Sequence, residues 1–183
     1  MGPLDTLMEE HRRIEEVLDA MTVYVSRLTG ENPAEREDLG LFVEFIREFA
    51  DTAHHGKEED ILFVAMTDAG MPGEQGPIAV MLSEHVQGRG YVGVLAEVAE
   101  GEGPLSAEER GRVTEAGENY VGLLRSHIQK EDKILYPMSE NMVPADRWSR
   151  IAAEFEAFEK PRSAEHERLR QSAKALCLRF TGA

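Results

Sequence analysis

The sequence predicts an all-α protein, an antiparallel up-down four-helix bundle followed by one or two additional C-terminal helices. Three observations lead to this prediction. Leu, Ala, Glu, Arg and Met are common while aromatic residues make up only 7% of the chain, a composition that favours helices over sheets. Apolar residues recur three or four positions apart over long segments. Short stretches rich in Gly and Pro separate these segments.

Four long amphipathic segments carry the helical pattern, and each has an apolar stripe along one face. The predicted helices span about residues 4–28, 34–67, 74–99 and 107–139. Asn32 followed by Pro33 is typical of a helix start and marks the second helix. Ser106 and Glu109 fit a capping box at the start of the fourth helix, because each side chain can bind the other's backbone amide.

The remainder of the chain, about residues 145–180, predicts one or two further helices that are broken at Pro161. We therefore expect a four-helix bundle over residues 1–142. We expect residues 143–183 to form a helical extension that packs on the same domain. The sequence does not decide whether this extension covers the bundle or mediates a homo-oligomer.

Composition makes several function classes improbable. Asp and Glu outnumber Lys and Arg by 35 to 20, giving a formal charge of −15, and such a surface repels the phosphates of nucleic acids. No segment reaches the roughly 18 apolar residues of a membrane span, and the N-terminal residues lack the apolar region of a signal peptide. The single cysteine, Cys177, permits no internal disulfide. We expect a cytoplasmic protein without nucleic-acid or membrane partners.

Polar residues interrupt the apolar stripes at positions that indicate a metal site. One histidine lies on the apolar face of each predicted helix: His11, His54, His85 and His127. Glu58 and Glu131 each follow a histidine by one helical turn and point the same way. Buried carboxylates are costly without a partner, and imidazole nitrogen together with carboxylate oxygen suits iron, manganese or zinc. Two carboxylates could each bridge a pair of ions.

Four sequence motifs resemble those of hemerythrin-type, or HHE cation-binding, domains. The motifs are EHR at residues 10–12, HHGKEEDILF at 54–63, EHVQGR at 84–89 and HIQKEDKILYP at 127–137. The resemblance covers about residues 4–138. It implies a four-helix bundle around a non-haem di-iron centre, with two iron ions bridged by two carboxylates and by an oxo or hydroxo group.

The resemblance also implies metal ligands, which we carry over residue by residue. The positions that match the family's ligands are His11, His54, Glu58 and His127. On the third helix the oxygen carriers of the family have two histidines four residues apart, whereas this chain has His85 and Arg89. One histidine of the carriers is therefore missing. Arg89 either steers an anionic ligand or forms a surface ion pair.

The fourth helix offers two carboxylates in place of one. The carriers have an Asp five residues after the histidine, here Asp132, while many hemerythrin-like relatives have a Glu four residues after it, here Glu131. Helical geometry favours Glu131, which lies about 40° from His127 around the axis, against about 140° for Asp132. The resemblance then implies that His11 and His54 hold one iron, that His85 and His127 hold the other, and that Glu58 and Glu131 bridge them.

Further polar residues lie outside this set. His55 and Glu59 repeat the four-residue spacing one position later, toward an acidic face of the second helix. We expect both to be solvated, with His55 as a residual ligand candidate. Tyr120 lies two turns before His127 and is expected to be a core tyrosine, although it could donate a hydrogen bond to the centre. His166 is expected to be a core histidine of the last helix.

Residues 88–93 match the dinucleotide-binding pattern G-x-G-x-x-G through Gly88, Gly90 and Gly93. No predicted strand precedes them, and they lie inside a helical pattern, so the dinucleotide interpretation lacks its structural context. Close packing of helices is the expectation for these glycines.

Three alternative functions follow from these features. The first is a hemerythrin-like di-iron protein that binds or senses O₂, peroxide, NO or iron, since fewer histidine ligands than in the carriers leave more open positions. The second is a di-iron oxidoreductase, either peroxidase- or catalase-like or NO-reducing. The third is a bundle that binds a cation for structural reasons. The expected partner is a small ligand such as O₂, peroxide or NO.

Overall fold

The computed structural model describes residues 2–30 and 35–182, which form six helices and no strand. The predicted all-α class is confirmed, and the packing is consistent with a helical bundle. Helix α1 spans Pro3–Arg27. Helix α2 is continuous over residues 36–68 and α3 spans Pro77–Ala99. Helix α4 is continuous over residues 107–142. Helix α5 spans Arg147–Glu159, and after a 3₁₀ turn at Lys160–Arg162 helix α6 spans Ser163–Phe180.

The helix boundaries follow local chemistry. In the predicted capping box, Ser106 Oγ accepts a hydrogen bond from the Glu109 amide at 3.2 Å, and Glu109 Oε2 accepts one from the Ser106 amide at 2.8 Å. Helix α3 begins three residues later than predicted, because Gly76 adopts a φ of 74°, open mainly to glycine, directly before Pro77. The predicted start of α2 at Asn32 and Pro33 lies outside the described residues.

Helices α2 and α4 contain π-helical turns, which the sequence analysis did not predict. They occur at Ile46–His55 and Glu58–Leu62 in α2 and at Glu131–Leu135 in α4. The amide of Phe63 donates to the carbonyl of Glu58, and the amide of Tyr136 donates to that of Glu131. Both are i→i+5 hydrogen bonds, which widen the turn locally and are frequent at functional sites.

A layer of polar residues lies between two buried apolar clusters. The first cluster includes Met21, Tyr24, Phe42, Phe45, Leu95 and Val113. The second includes Leu7, Leu62, Met66, Ile78, Leu135 and Ile151. Along α1, His11 falls between Leu7 of the second cluster and Ile14 of the first. The predicted ligand positions of the other long helices are flanked by the two clusters in the same way. Apolar packing therefore encloses the polar layer from both ends.

The C-terminal helices pack on the long helices. Helix α6 lies against α1 and α2, with Leu169 and Phe180 in the first cluster. Helix α5 places Phe155 in the second cluster. A side chain at Gly56 of α2 would bring its Cβ to 2.9 Å from the Phe158 ring, so glycine permits the close approach of α5. Within the described residues, no helix is both long and apolar enough to cross a membrane.

Candidate metal centre

The polar layer contains two overlapping groups of buried metal-binding side chains. Site 1 comprises His11, His54, Glu58 and Glu131, and site 2 comprises His55, Glu58, His85 and His127. Within each group, one ligand atom of every residue lies within 4.8 Å of those of the others. All of these residues are buried. Glu58 belongs to both groups, so the two sites are adjacent.

The two carboxylates have different positions between the sites. Glu131 presents Oε2 to His11 Nε2 and Oε1 to His127 Nε2, in both cases at 3.2 Å, and so contacts one histidine of each site. Glu58 Oε2 lies 3.8 Å from His54 Nε2 and 3.6 Å from His85 Nε2. Each carboxylate thus spans the space between the two groups of imidazoles.

Several buried atoms of this layer have no hydrogen-bond partner among the described residues. They are His54 Nε2, Glu58 Oε2 and both carboxylate oxygens of Glu131. In addition, the Nε2 atoms of His85 and His127 face each other at 3.0 Å. Unpaired buried carboxylate oxygens and imidazole nitrogens are costly, and all of them are suitable cation ligands. The residues present therefore fit bound metal ions.

The opposite ring nitrogen of every histidine in the two sites contacts a carboxylate. The Nδ1 contacts are His11 to Asp132 (2.7 Å), His54 to Glu10 (2.8 Å), His55 to Asp51 (3.2 Å), His85 to Glu59 (2.7 Å) and His127 to Glu84 (2.9 Å). We call these five acidic residues the outer carboxylates. Because an ionised carboxylate only accepts hydrogen bonds, each Nδ1–H donates to its carboxylate, and the Nε2 of each neutral imidazole then has its lone pair for a cation.

Each outer carboxylate also pairs with a basic side chain. The pairs are Arg12 with Asp132, Lys57 with Glu10, Lys130 with Glu84, and Arg89 with both Asp51 and Glu59. Arg89 thus forms an ion pair, the second of the two roles expected for it. Its distances to both carboxylates are 2.7 Å. The basic groups fix the carboxylates, which in turn fix the orientation of the imidazoles.

The two halves of the centre are built alike, because the motifs of α2 and α4 share their spacing. His54, Lys57 and Glu58 in α2 correspond to His127, Lys130 and Glu131 in α4. Two of the differences between these motifs change the groups at the centre, since His55 and Phe63 of α2 correspond to Ile128 and Tyr136 of α4. The resulting asymmetry gives site 2 a third imidazole and gives site 1 a phenol.

Tyr136 is the phenol that contacts the centre. Its hydroxyl donates to Glu58 Oε1 at 2.7 Å and lies 3.3 Å from His11 Nε2. Tyr120, which we had considered for such a role, is buried nearby but forms no hydrogen bond to a residue of either site. The sequence offered one signal for Tyr136, a polar aromatic residue at the position where the matching motif has Phe63.

Burial and neighbouring charges set the protonation states of the centre. Burial and the charge of Glu131 raise the pKa of Glu58 well above its ordinary value. Burial opposes ionisation of Glu131, but His127 and His11 hold its pKa well below the ordinary value. Burial lowers the pKa of His55 to about 3 and, with the nearby His11, lowers the pKa of His54. His54 and His55 are therefore neutral, the form that binds metals.

The structure corrects the expectation for the second face of α2. His55 is buried rather than solvated, and its ring stacks on that of His85 at a centroid distance of 3.8 Å. Glu59 is half-buried and holds His85 Nδ1. The expectation assumed α-helical spacing, whereas residues up to His55 form π turns. Because a π turn contains more residues than an α turn, His54 and His55 both face the interior.

Asp132 and His166, two further candidates from the sequence, lie outside both groups of metal-binding side chains. Asp132 is an outer carboxylate on His11, while Glu131 contacts both sites, as helical geometry favoured. His166 is buried outside both groups, and its Nδ1 contacts Glu159 at 2.7 Å, the position expected of a core histidine. The outer residues Glu10 and Lys57 were not predicted from the sequence. The signal was available, since an acidic residue directly precedes His11 and His85, and a lysine directly precedes both glutamates.

Comparison with known proteins agrees with this geometry. Residues 2–139 match the family described as the hemerythrin HHE cation-binding domain. No curated protein and no solved structure matches the chain. The matched segment covers well over half of the chain and includes every residue of both sites, so the resemblance noted in the sequence is confirmed. This chain belongs to the hemerythrin HHE cation-binding domain family.

Proposed function

We propose that this protein holds two iron ions, one in each site, and binds or senses a small ligand such as O₂, peroxide or NO. The observation that carries the proposal is the overlap of the two groups at Glu58, since a shared carboxylate is what a pair of neighbouring ions requires. The proposed ligands are the six residues named from the sequence together with His55. They are His11, His54, Glu58 and Glu131 at site 1, and His55, His85, His127 and Glu58 at site 2.

The donor set supports iron. Five imidazole nitrogens and two carboxylates form a borderline ligand set that suits iron, manganese or zinc. When bound, a pair of irons supplies redox electrons and open coordination positions for a small ligand. The protein's own residues orient the imidazoles through the outer carboxylates, hold Glu58 through the hydroxyl of Tyr136, and exclude bulk water by the apolar clusters on both sides.

We further propose that the four long helices run up and down in an antiparallel bundle. Ion pairs between α1 and α4 join Arg12 to Asp132 and Asp19 to Arg125. Ion pairs between α3 and α4 join Glu84 to Lys130 and Glu97 to Arg112. In both cases the residue numbers rise along one helix and fall along the other, which supports opposite directions. The short connections between the helices support the same arrangement.

Elemental analysis of the protein purified without added metal tests the function. About two irons per chain are expected, the stoichiometry of carboxylate-bridged di-iron bundles. Glu58→Ala should lose most of the metal, because Glu58 serves both sites, whereas Glu48→Ala at an exposed position of the same helix should keep it. A single zinc, or a Glu58→Ala protein with undiminished iron, would contradict the proposal.

A ligand titration separates binding from catalysis. A binding or sensing protein should change its visible absorption with O₂, peroxide or NO and return to its starting spectrum when the ligand is removed. Sustained turnover of peroxide or NO with an added electron donor would instead indicate an oxidoreductase. The measurement compares the loss of ligand over many equivalents with the metal content of the same sample.

A further inference from the structure

A cavity of about 240 Å³ lies beside site 2. It is formed between α2, α3 and α4, and the three histidines of site 2 line it. Its lining also includes the apolar side chains of Ile46, Val92 and Leu124. Three exposed lining residues, Arg47, Arg89 and Gly93, show that the cavity reaches the surface. Site 1 contributes no residue to it, so the cavity serves one half of the centre.

Two glycines of α3 leave the cavity its space. Gly88 and Gly93 both line it, and glycine destabilises a helix interior relative to alanine. A Cβ at Gly88 would lie at an ordinary 3.6 Å from the Tyr120 ring, and one at Gly93 would meet no described atom within 4 Å. Close helix packing, the expectation from the sequence, therefore does not require glycine at Gly88, and at Gly93 no described atom is near enough to form it. What glycine provides there is room in the cavity wall.

The charges facing the cavity favour an anion. Its two acidic lining residues, Asp51 and Glu84, are paired with Arg89 and Lys130 respectively. Arg47 lines the cavity and has no ion-pair partner among the described residues. A divalent cation in site 2 would add positive charge at the inner end, because the three imidazoles there are neutral ligands.

The cavity is larger than a diatomic ligand requires. An enclosed apolar cavity of roughly 150 Å³ is enough to hold benzene, and this one has about 240 Å³. A diatomic molecule at site 2 would leave most of that space to water against the apolar walls. A ligand with an apolar body would instead contact Ile46, Val92 and Leu124.

We propose that this cavity binds a small organic monocarboxylate with a body about the size of one aromatic ring. Its carboxylate lies toward the three imidazoles of site 2 and its apolar body lies along the walls of α2, α3 and α4. The proposal rests on the proposed function in one respect, since a metal ion in site 2 anchors the carboxylate.

Calorimetric titration of the full-length, zinc-loaded protein with benzoate and with acetate tests the proposal. Zinc is chosen because it has no redox chemistry. Benzoate should bind at least about tenfold more tightly than acetate, because its ring adds buried apolar area. Gly88→Leu, which fills the cavity, should weaken benzoate binding about tenfold. Gly90→Leu on the same helix is the control, because Gly90 is exposed and does not line the cavity.

The outcomes are distinct. Equal affinity for benzoate and acetate, or an equal effect of Gly88→Leu and Gly90→Leu, would overturn the proposal. If Gly88→Leu does not fold, Gly93→Leu serves in its place, since Gly93 also lines the cavity and a Cβ there would meet no described atom within 4 Å. Zinc is measured in the same samples. A zinc-loaded protein that binds no benzoate overturns this inference alone, whereas a protein that takes up no zinc contradicts the proposed function as well.

Discussion

Where the oxygen carriers of the family have a second histidine on the third helix, this chain has Arg89, and the additional imidazole near site 2 comes from His55 of α2. It lies in site 2 with His85, His127 and Glu58. We predict that His55→Ala lowers metal affinity at site 2 by more than the roughly 10–100-fold typical of an outer partner. Metal per chain, measured after dialysis against a chelator, checks this. His166→Ala is the control, because His166 is also buried against a carboxylate but lies in neither site.

Helix content measured by circular dichroism shows whether both variants fold. A His55→Ala protein that keeps as much metal as the wild type would show that the residue only packs against His85. A comparable loss in His166→Ala would mean that removing any buried histidine disturbs the centre, and the effect could not then be assigned to ligation.

Glu59 contacts His85 of site 2, and its contribution to metal binding can be compared with that of the adjacent Asp60. Its carboxylate holds His85 Nδ1 at 2.7 Å and pairs with Arg89, whereas Asp60 is exposed. We predict that Glu59→Gln lowers metal affinity about 10–100-fold, because the amide cannot supply the charge that holds the imidazole. Asp60→Asn should change it little. Chelator competition measures both, and equal effects would contradict the assignment.

The residue scale also shows what the sequence could predict. The inward positions of His11, His85 and Glu131 followed from helical spacing alone. Four of the five outer carboxylates did not, because they come from other helices, as Glu10 of α1 does for His54 of α2. Such contacts depend on how far one helix is shifted along its neighbour, and no spacing within a single helix contains that information.

At the element scale, the π turns explain why α2 departs from its predicted face. The helix predicted over residues 34–67 corresponds to α2, which ends at Asp68, one residue later than predicted. Its inner face differs, because the π turns over Ile46–His55 change the angular positions that a 3.6-residue period assumes. Apolar periodicity cannot reveal such a turn when the residues at stake are polar, as His54, His55 and Glu58 are.

Lys57 and Lys130 hold matching positions in the motifs of α2 and α4, but neighbouring helices bury them to different extents. Lys57 is fully buried and joins α1 to α5 by pairing with Glu10 and Glu159, whereas the side chain of Lys130 is one-third exposed beside Glu84. Lys57→Met would leave two carboxylates without their cation, at a cost of about 3–5 kcal/mol in the free energy of unfolding. Lys130→Met should cost about 1 kcal/mol or less, because water can solvate Glu84.

Urea unfolding of the metal-free proteins compares the two lysine variants, so that metal binding does not contribute to the difference. Similar losses would mean that α5 does not bury Lys57 in solution. A chain of polar contacts runs from His54 through Glu10 and Lys57 to Glu159 and His166, beyond the matched segment of residues 2–139. Similar losses would mean that this chain is broken at Lys57 in solution.

At the scale of the whole molecule, most of the buried charged side chains lie in one layer. Asp38, a buried carboxylate that pairs with Arg179, lies outside it. The protein has a net charge of −15, yet every outer carboxylate around the centre has a basic partner. Four basic side chains serve the five outer carboxylates, so most of the excess negative charge lies elsewhere on the molecule. The two apolar clusters flank this layer; α6 contributes to the first cluster and α5 to the second. The C-terminal helices thus contact the same cores that enclose the metal centre.

Because of this shared packing, we predict that α6 unfolds together with the bundle. Leu169 is fully buried in the first apolar cluster, and Leu178 on the same helix is 64% exposed. Leu169→Ala should lower the free energy of unfolding by about 2–5 kcal/mol, and Leu178→Ala should change it by no more than about 0.5 kcal/mol.

Urea unfolding is followed by circular dichroism and by the visible absorption of the iron-loaded protein. Coincident transitions that shift together in Leu169→Ala would place α6 and the metal centre in one cooperative unit. A transition that shifts only in circular dichroism would mean that the extension unfolds independently, so that the contacts of Glu159 and His166 do not reach the centre energetically.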